Sequence, residues 1–383
     1  MIWFVLMSLI ASATAQLHTG EPSAVGMSPE RLQRVTALVE SEVRDGGPDG
    51  GLDAASILVA RRGTIVLHKG FGRSSRQPGS FPVKADSIYI VASLTKTVTA
   101  TAMMMLVERG EVSLNEPIAA YLPEFTGDER RKVRILDLLA HTSGLPDMLP
   151  ENTQLRREHA PLSEFVKHVY TTPLLFSPGT AFRYQSMGIL LAATIVEKVS
   201  QMPLRDFERK EIFEPLGMKD SSLGVGRVPI GKTVQVQESG DPADLASWGA
   251  NSEYWRNLGN PWGGMHTTTM DLAILLQTFL NQGTYSGKRI LSPAAVKAMI
   301  SDQNAKLNGS WGLGWRLGRS PGAEFGDLIS PDAFGHMGAS GTMEWADPET
   351  GVIFVILTSR PLAVDNGLFL RRVSNAVAAS VEH

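Results

Sequence analysis

Apolar positions along the chain change their period more than once. Leu32, Val35, Val39 and Val43 recur at helical spacing, with Ser28 as N-cap, Pro29 in the first turn and Gly46-Gly47-Pro48 as the stop. Ser56 to Ala60 and Thr64 to His68 then read as two short strands turning at Arg61-Arg62-Gly63, a hairpin. From about residue 88 to 300 the pattern is mostly helical: Leu94 to Arg109 stopped by Gly110, Ile135 to Leu139, Leu190 to Val199, Leu204 to Phe213, and Met270 to Leu280 capped by Thr268 and Asp271. Gln237 to Asn260 is polar enough to predict a long surface loop. Strand signals return at Gly312 to Leu317, His336 to Trp345 and Val352 to Thr358, the last two joined by turn residues 347–351. A helix from about Leu368 to Val381 ends the chain.

Strands at both ends with helices between them predict an α+β protein. Its antiparallel sheet is assembled from residues 22–87 and 301–383, with an all-helical subdomain, 88–300, inserted in the middle. The cleft is expected where the two meet. Ahead of the sheet, Ile2 to Ile10 is apolar except for Ser8 and is followed by Ala13-Thr14-Ala15. Residues 1–15 therefore read as a signal peptide, one lacking a basic n-region, and predict a secreted or periplasmic protein. No later apolar run is long enough for a membrane span.

Composition narrows the chemistry. The 383 residues are 43% hydrophobic and 20% charged, which excludes disorder and fibrous repeats. Thirty-six basic against thirty-nine acidic side chains, without a basic cluster, argue against nucleic acid. The absence of cysteine removes thiolate nucleophiles and thiolate metal sites, and neither a metal nor a cofactor is expected.

Covalent catalysis must then use oxygen or nitrogen, and Ser93-Leu94-Thr95-Lys96 is the one Ser-x-x-Lys in the chain. At i and i+3 on a helix the two side chains are neighbours, so the amine can take the serine proton if burial lowers its pKa. On the bare pattern alone, an ordinary N-cap serine with a solvated lysine is the commoner arrangement. Tyr184, in Phe182-Arg183-Tyr184-Gln185-Ser186-Met187-Gly188, offers a phenol that could relay a proton if Lys96 stabilises its phenolate. Otherwise it is a buried tyrosine with a satisfied hydroxyl. Gly335-His336-Met337-Gly338-Ala339-Ser340-Gly341-Thr342 is small enough for a ligand backbone to approach, as an edge strand would allow. A bend and a polar strand end explain the same residues.

Together these three segments resemble the serine β-lactamase-related hydrolases, which include class C β-lactamases, DD-peptidases and β-lactamase-like esterases. The resemblance extends to Leu138-Leu139-Ala140-His141-Thr142-Ser143-Gly144-Leu145, Glu214-Pro215-Leu216-Gly217-Met218, Gly263-Gly264-Met265 and Gly312-Leu313-Gly314-Trp315, in the family's order. It implies a β-lactamase/transpeptidase-like fold, with Ser93 as acylated nucleophile, Lys96 as its activator and Tyr184 as base and proton carrier. The backbone N–H groups of Ser93 and Ala339 would form the oxyanion hole, and Ser186, His336 and Gly338 would face the substrate. Two positions depart from the family pattern. Ser186 replaces the asparagine whose amide holds the acylamido arm of a lactam or peptide, and His336 puts an imidazole where class C enzymes carry a lysine.

Both departures favour a carboxylesterase acting on small or short-chain esters. The alternatives are a D-alanyl-D-alanine carboxypeptidase or β-lactamase-type amide hydrolase, and a non-catalytic binder. The partner is a small ester or amide. Neither Gly-x-Ser-x-Gly nor His-Glu-x-x-His occurs. His141 beside Ser143 is read as structural, and Trp262, Trp311 and Trp315 as core before acyl pocket.

Overall fold

The computed structural model describes residues 15–45, 51–307, 309–322 and 324–383. All of the leader but Ala15 lies outside the described residues. The main sheet contains β1 (His18–Thr19), β2 (Ala54–Arg61), β3 (Thr64–Gly72), β4 (Arg316–Leu317), β5 (Phe334–Gly338), β6 (Thr342–Asp347) and β7 (Val352–Thr358). Their order is β1-β3-β2-β7-β6-β5-β4, antiparallel except for the β1–β3 pair. The two halves of the chain meet at the β2–β7 ladder, where Phe354 faces Val59 and Ile356 faces Ile57.

The central strands are apolar on both faces because both faces are covered. Alternate residues of β2 go to opposite sides: Ala55, Ile57 and Val59 join Val35, Val39, Val373 and Val377 in one core, whereas Ala54, Leu58 and Ala60 join the larger core that contains Leu272 and Leu275. The first core lies under helices α1 (Pro29–Asp45) and α6 (Leu368–Ala378), which pack together. The second lies under α2 (Thr95–Glu108), α3 (Ile135–Leu139), α4 (Met187–Ser200) and α5 (Thr269–Leu280). This is the mixed α+β, β-lactamase/transpeptidase-like fold that the motifs imply.

Several segments differ from the sequence reading. His336 to Trp345 is not one strand: it turns at Ala339-Ser340-Gly341 into the β5–β6 hairpin, whose ladder ends at Gly338 opposite Thr342. Gly341 makes that turn with φ +89°, where a Cβ would lie 1.8 Å from the Arg360 carbonyl. β5 is also not an edge strand throughout. β4 pairs with Phe334 and Gly335 and leaves His336–Gly338 without a partner on that side. The expected loop at 237–260 contains two short helices, Pro242–Trp248 and Glu253–Leu258, capped by the side chains of Asp241 and Ser252. Leu204 to Phe213 is α-helical only to Glu208 and continues as a π turn from Arg209.

Candidate active site

Ser93 sits in a tight 3₁₀ turn, Ala92–Leu94, that runs straight into α2, so the helix proper begins after it. Ala92 is held at φ +46°, a conformation unfavourable for a residue with a Cβ. Hydrogen bonds fix the turn: Val91 N donates to the Met265 carbonyl at 3.0 Å, and Thr95 Oγ1 donates to the Ala92 carbonyl at 2.7 Å while accepting from Met265 N at 3.0 Å. Met265, which starts the strand Met265–Thr267, thus backs the serine turn.

One turn of helix on, Lys96 is fully buried, with Nζ 3.0 Å from Ser93 Oγ and 2.9 Å from the Trp262 carbonyl. Burial lowers its pKa from 10.5 to about 7, opposed by the charge of Asp147. Tyr184 lies beside Lys96, its ring 4.8 Å from Nζ, and its hydroxyl faces Ser93 closely enough to be influenced by it. The enclosing protein raises the Tyr184 pKa, and Ser93 only partly offsets this. A resting phenolate is therefore not what the site favours: Tyr184 is held protonated, and Lys96 is poised between its charged and neutral forms near pH 7.

His336 enters from β5, with its ring centroid 5.9 Å from that of Tyr184 and 5.5 Å from that of Trp311. Its Nδ1 bonds the Met337 carbonyl at 2.7 Å, which places the proton there and leaves the buried Nε2 unpartnered. Burial, then the charges of Lys96 and Arg316, hold His336 well below the usual imidazole range. The imidazole at this position therefore favours its neutral form.

Gly338 has a structural task besides any contact with substrate. A Cβ there would lie 2.2 Å from both the Val91 carbonyl and Thr342 Oγ1. Thr342 Oγ1 and Ser340 Oγ donate to the Val91 and Ile90 carbonyls at 3.0 and 2.9 Å, clamping the β5–β6 turn onto the serine turn. The exposed Ala339 follows the last rung of the ladder, in the turn that this clamp holds against Val91 and Ile90.

Ser186, buried at the head of α4, donates from Oγ to Asp147 Oδ1 at 2.6 Å, and its N–H donates to the Asp147 carbonyl at 3.2 Å. Asp147 was not among the residues singled out from sequence, although it lies two positions beyond the Leu138–Leu145 motif. Arg316 was missed too: it covers Trp311 at 4.9 Å and pairs with Glu324. His141 and Ser143 do not bond each other. Gln185 takes both, its N–H donating to His141 Nδ1 and its Oε1 accepting from Ser143 Oγ. Trp315 is core, packed on Phe279 and Phe334, whereas Trp311 contacts Tyr184, His141 and His336 and forms a wall of the site. Among the described residues, no three His, Asp or Glu side chains gather at metal-binding spacing, and no single helix is long and apolar enough to cross a membrane.

Comparison with known proteins identifies the family and the fold. The sequence profile of the beta-lactamase family matches residues 33–376. A Salmonella typhimurium protein provisionally named a D-alanyl-D-alanine carboxypeptidase is 28% identical over 90% of this chain and 86% of its own. Among solved structures, a penicillin-binding protein homologue from Caulobacter crescentus superposes with a TM-score of 0.77 at 24% identity, covering 93% of this chain and 99% of that one. A family VIII carboxylesterase gives 0.72 at 20% identity, covering 92% and 98%.

Proposed function

Because this chain belongs to the beta-lactamase family of serine hydrolases, we propose that it cleaves small, short-chain carboxylic esters through an acyl-enzyme on Ser93. The observation that carries this reading is the fully buried Lys96 amine, at a pKa of about 7, 3.0 Å from an accessible serine hydroxyl. The neutral amine takes the Ser93 proton as Oγ adds to the ester carbonyl. The Ser93 and Ala339 N–H groups receive the resulting oxyanion, a reading supported by the hydrogen bonds that hold the two turns together. Collapse of the tetrahedral adduct expels the alkoxide, which takes its proton from Tyr184, and Tyr184 is reprotonated from Lys96. Water then cleaves the acyl-enzyme by the same steps in reverse, releasing the acid.

The preference for esters rests on Ser186 and His336. The Ser186 hydroxyl is committed to Asp147, so the arm of a lactam or acylated peptide finds no amide to pair with, at about 1–3 kcal/mol for each buried group left unsatisfied. Neutral His336 brings no positive charge to a substrate carboxylate. A second reading, D-alanyl carboxypeptidase, is favoured by the open side of His336–Gly338, where an extended peptide could add as a strand. The leader supports placing the reaction outside the cytoplasm, which N-terminal sequencing of the mature chain tests. A panel of p-nitrophenyl acetate, nitrocefin and a D-Ala-D-Ala peptide tests the substrate class. Esters are expected to give the highest kcat/KM; faster turnover of nitrocefin or of the peptide overturns the ester reading, and turnover of none supports a binding protein.

A further inference from the structure

The charges around Ser93 do not balance. His141 and His336 are both held neutral by burial, and Lys96 is near half-neutral at pH 7. The charge of Arg316 is felt by Tyr184, His141 and His336, but Glu324 is paired with it and acts on Tyr184 in the opposite sense. Glu344, the cross-strand neighbour of His336, is kept protonated by complete burial. That leaves Asp147. It is exposed, its charge is felt by both Lys96 and Tyr184, and among the described residues it forms no ion pair.

Asp147 is also fixed in place. Two hydrogen bonds tie it to Ser186, one from the backbone N–H and one from the hydroxyl to Oδ1, and Ser186 itself starts the buried helix α4. The hydroxyl uses one carboxylate oxygen and leaves Oδ2 to accept from something else. A neutral acyl chain gains nothing from this group, and an anionic one is repelled by it. A donor carrying positive charge completes it.

We infer that Asp147, held by Ser186, forms a subsite for an ammonium group on the acyl part of the substrate, so that the preferred acyl donors are amino-acyl compounds with a free amine. This inference rests on the proposed hydrolysis at Ser93 and narrows its substrate class. The amine binds as a cation, without entering the acyl transfer, and therefore discriminates through kcat/KM. Since the carboxylate is exposed, salt weakens the discrimination.

The test compares alanine benzyl ester, in both enantiomers, with benzyl propionate, which is the same acyl donor without the amine, and with N-acetylalanine benzyl ester, in which the charge is removed. At pH 6.5 and low salt, the kcat/KM ratio of the better alanine ester to propionate is expected to be about fivefold or more. It should fall toward one in 0.5 M NaCl and in Asp147→Asn, and recover in Asp147→Glu. The acetylated ester should rank below propionate. If wild type shows no preference for the amine, or if the preference survives both salt and Asp147→Asn, the inference is overturned. If Asp147→Asn does not fold, the wild-type comparison with its salt dependence decides alone. Hydrolysis of benzyl propionate with no amine preference would remove only the subsite; hydrolysis of none of the esters would remove the ester reading beneath it.

Discussion

The Trp262 carbonyl accepts a hydrogen bond from Lys96 Nζ at 2.9 Å, and this contact decides how the amine can act. A carbonyl can only accept, so it engages an N–H of Lys96 in either protonation state. In the neutral state the single lone pair is then free for the proton of Ser93 Oγ, 3.0 Å away.

From the lowered Lys96 pKa, kcat/KM for an ester should rise with pH through an apparent pKa of about 7, because the neutral amine is the active form. Below that value it should fall tenfold per pH unit. Lys96→Met should lose on the order of a thousandfold in kcat, within the 10²–10⁴ typical of general-base help, while raising Tm near pH 6, since it removes the penalty of a buried charge. A profile flat from pH 5 to 8, or normal kcat in Lys96→Met, would show that the serine is activated in another way.

Gly338→Ala tests the clamp between the hairpin and the serine turn. The new methyl would meet the Val91 carbonyl at 2.2 Å, so strand β5 must move away from Ser93. The expected result is a fall of about 100-fold in kcat, the size of losing one oxyanion donor, with the circular dichroism spectrum retained. Unchanged kcat would show that the Ala339 N–H has no part in the reaction.

Much of this site can be read in the sequence, for identifiable reasons. Ser93 and Lys96 are neighbours because a helical turn brings i and i+3 together, which holds even though Ser93 belongs to a 3₁₀ turn. Tyr184 and the Gly335–Thr342 segment depend on contacts far apart in the chain: residue chemistry made them candidates, and the family pattern gave them roles. Asp147 was hidden because its importance lies in a hydrogen bond to Ser186, 39 residues away. The hairpin at Ala339–Gly341 was hidden because apolar runs on both sides read as one strand, although Gly341 marked the bend. In the 237–260 segment, overall polarity masked the Asp241-Pro242 and Ser252 caps that start two helices.

Ser186→Asn supplies the amide that the site lacks. It should raise kcat/KM for nitrocefin relative to p-nitrophenyl acetate by about tenfold, as about 1–3 kcal/mol of unpaired polar groups is relieved. A ratio that stays the same would mean that Ser186 does not limit lactam turnover.

Glu344 bears on stability and not on chemistry. Neither carboxyl oxygen has a hydrogen-bond partner of normal geometry, since the nearby Thr97 hydroxyl donates to the Leu94 carbonyl. Complete burial raises its pKa well above 4.5. The unfolded chain ionises near 4.5 and the folded one does not, so ionisation increasingly favours unfolding as pH rises above 4.5. Glu344→Gln cannot ionise, and its Tm advantage over wild type should grow between pH 5 and 8. A gap independent of pH would show that Glu344 is charged in the folded protein.

The most direct measurement is the intact mass of the protein after reaction with a fluorophosphonate, with the adduct located by peptide mapping. Wild type should gain one phosphonyl group, on Ser93, and Ser93→Ala should gain none while keeping the wild-type Tm within a few degrees. Labelling of a folded Ser93→Ala protein at the wild-type rate, or an adduct on any other residue, would contradict the assignment of Ser93 as nucleophile.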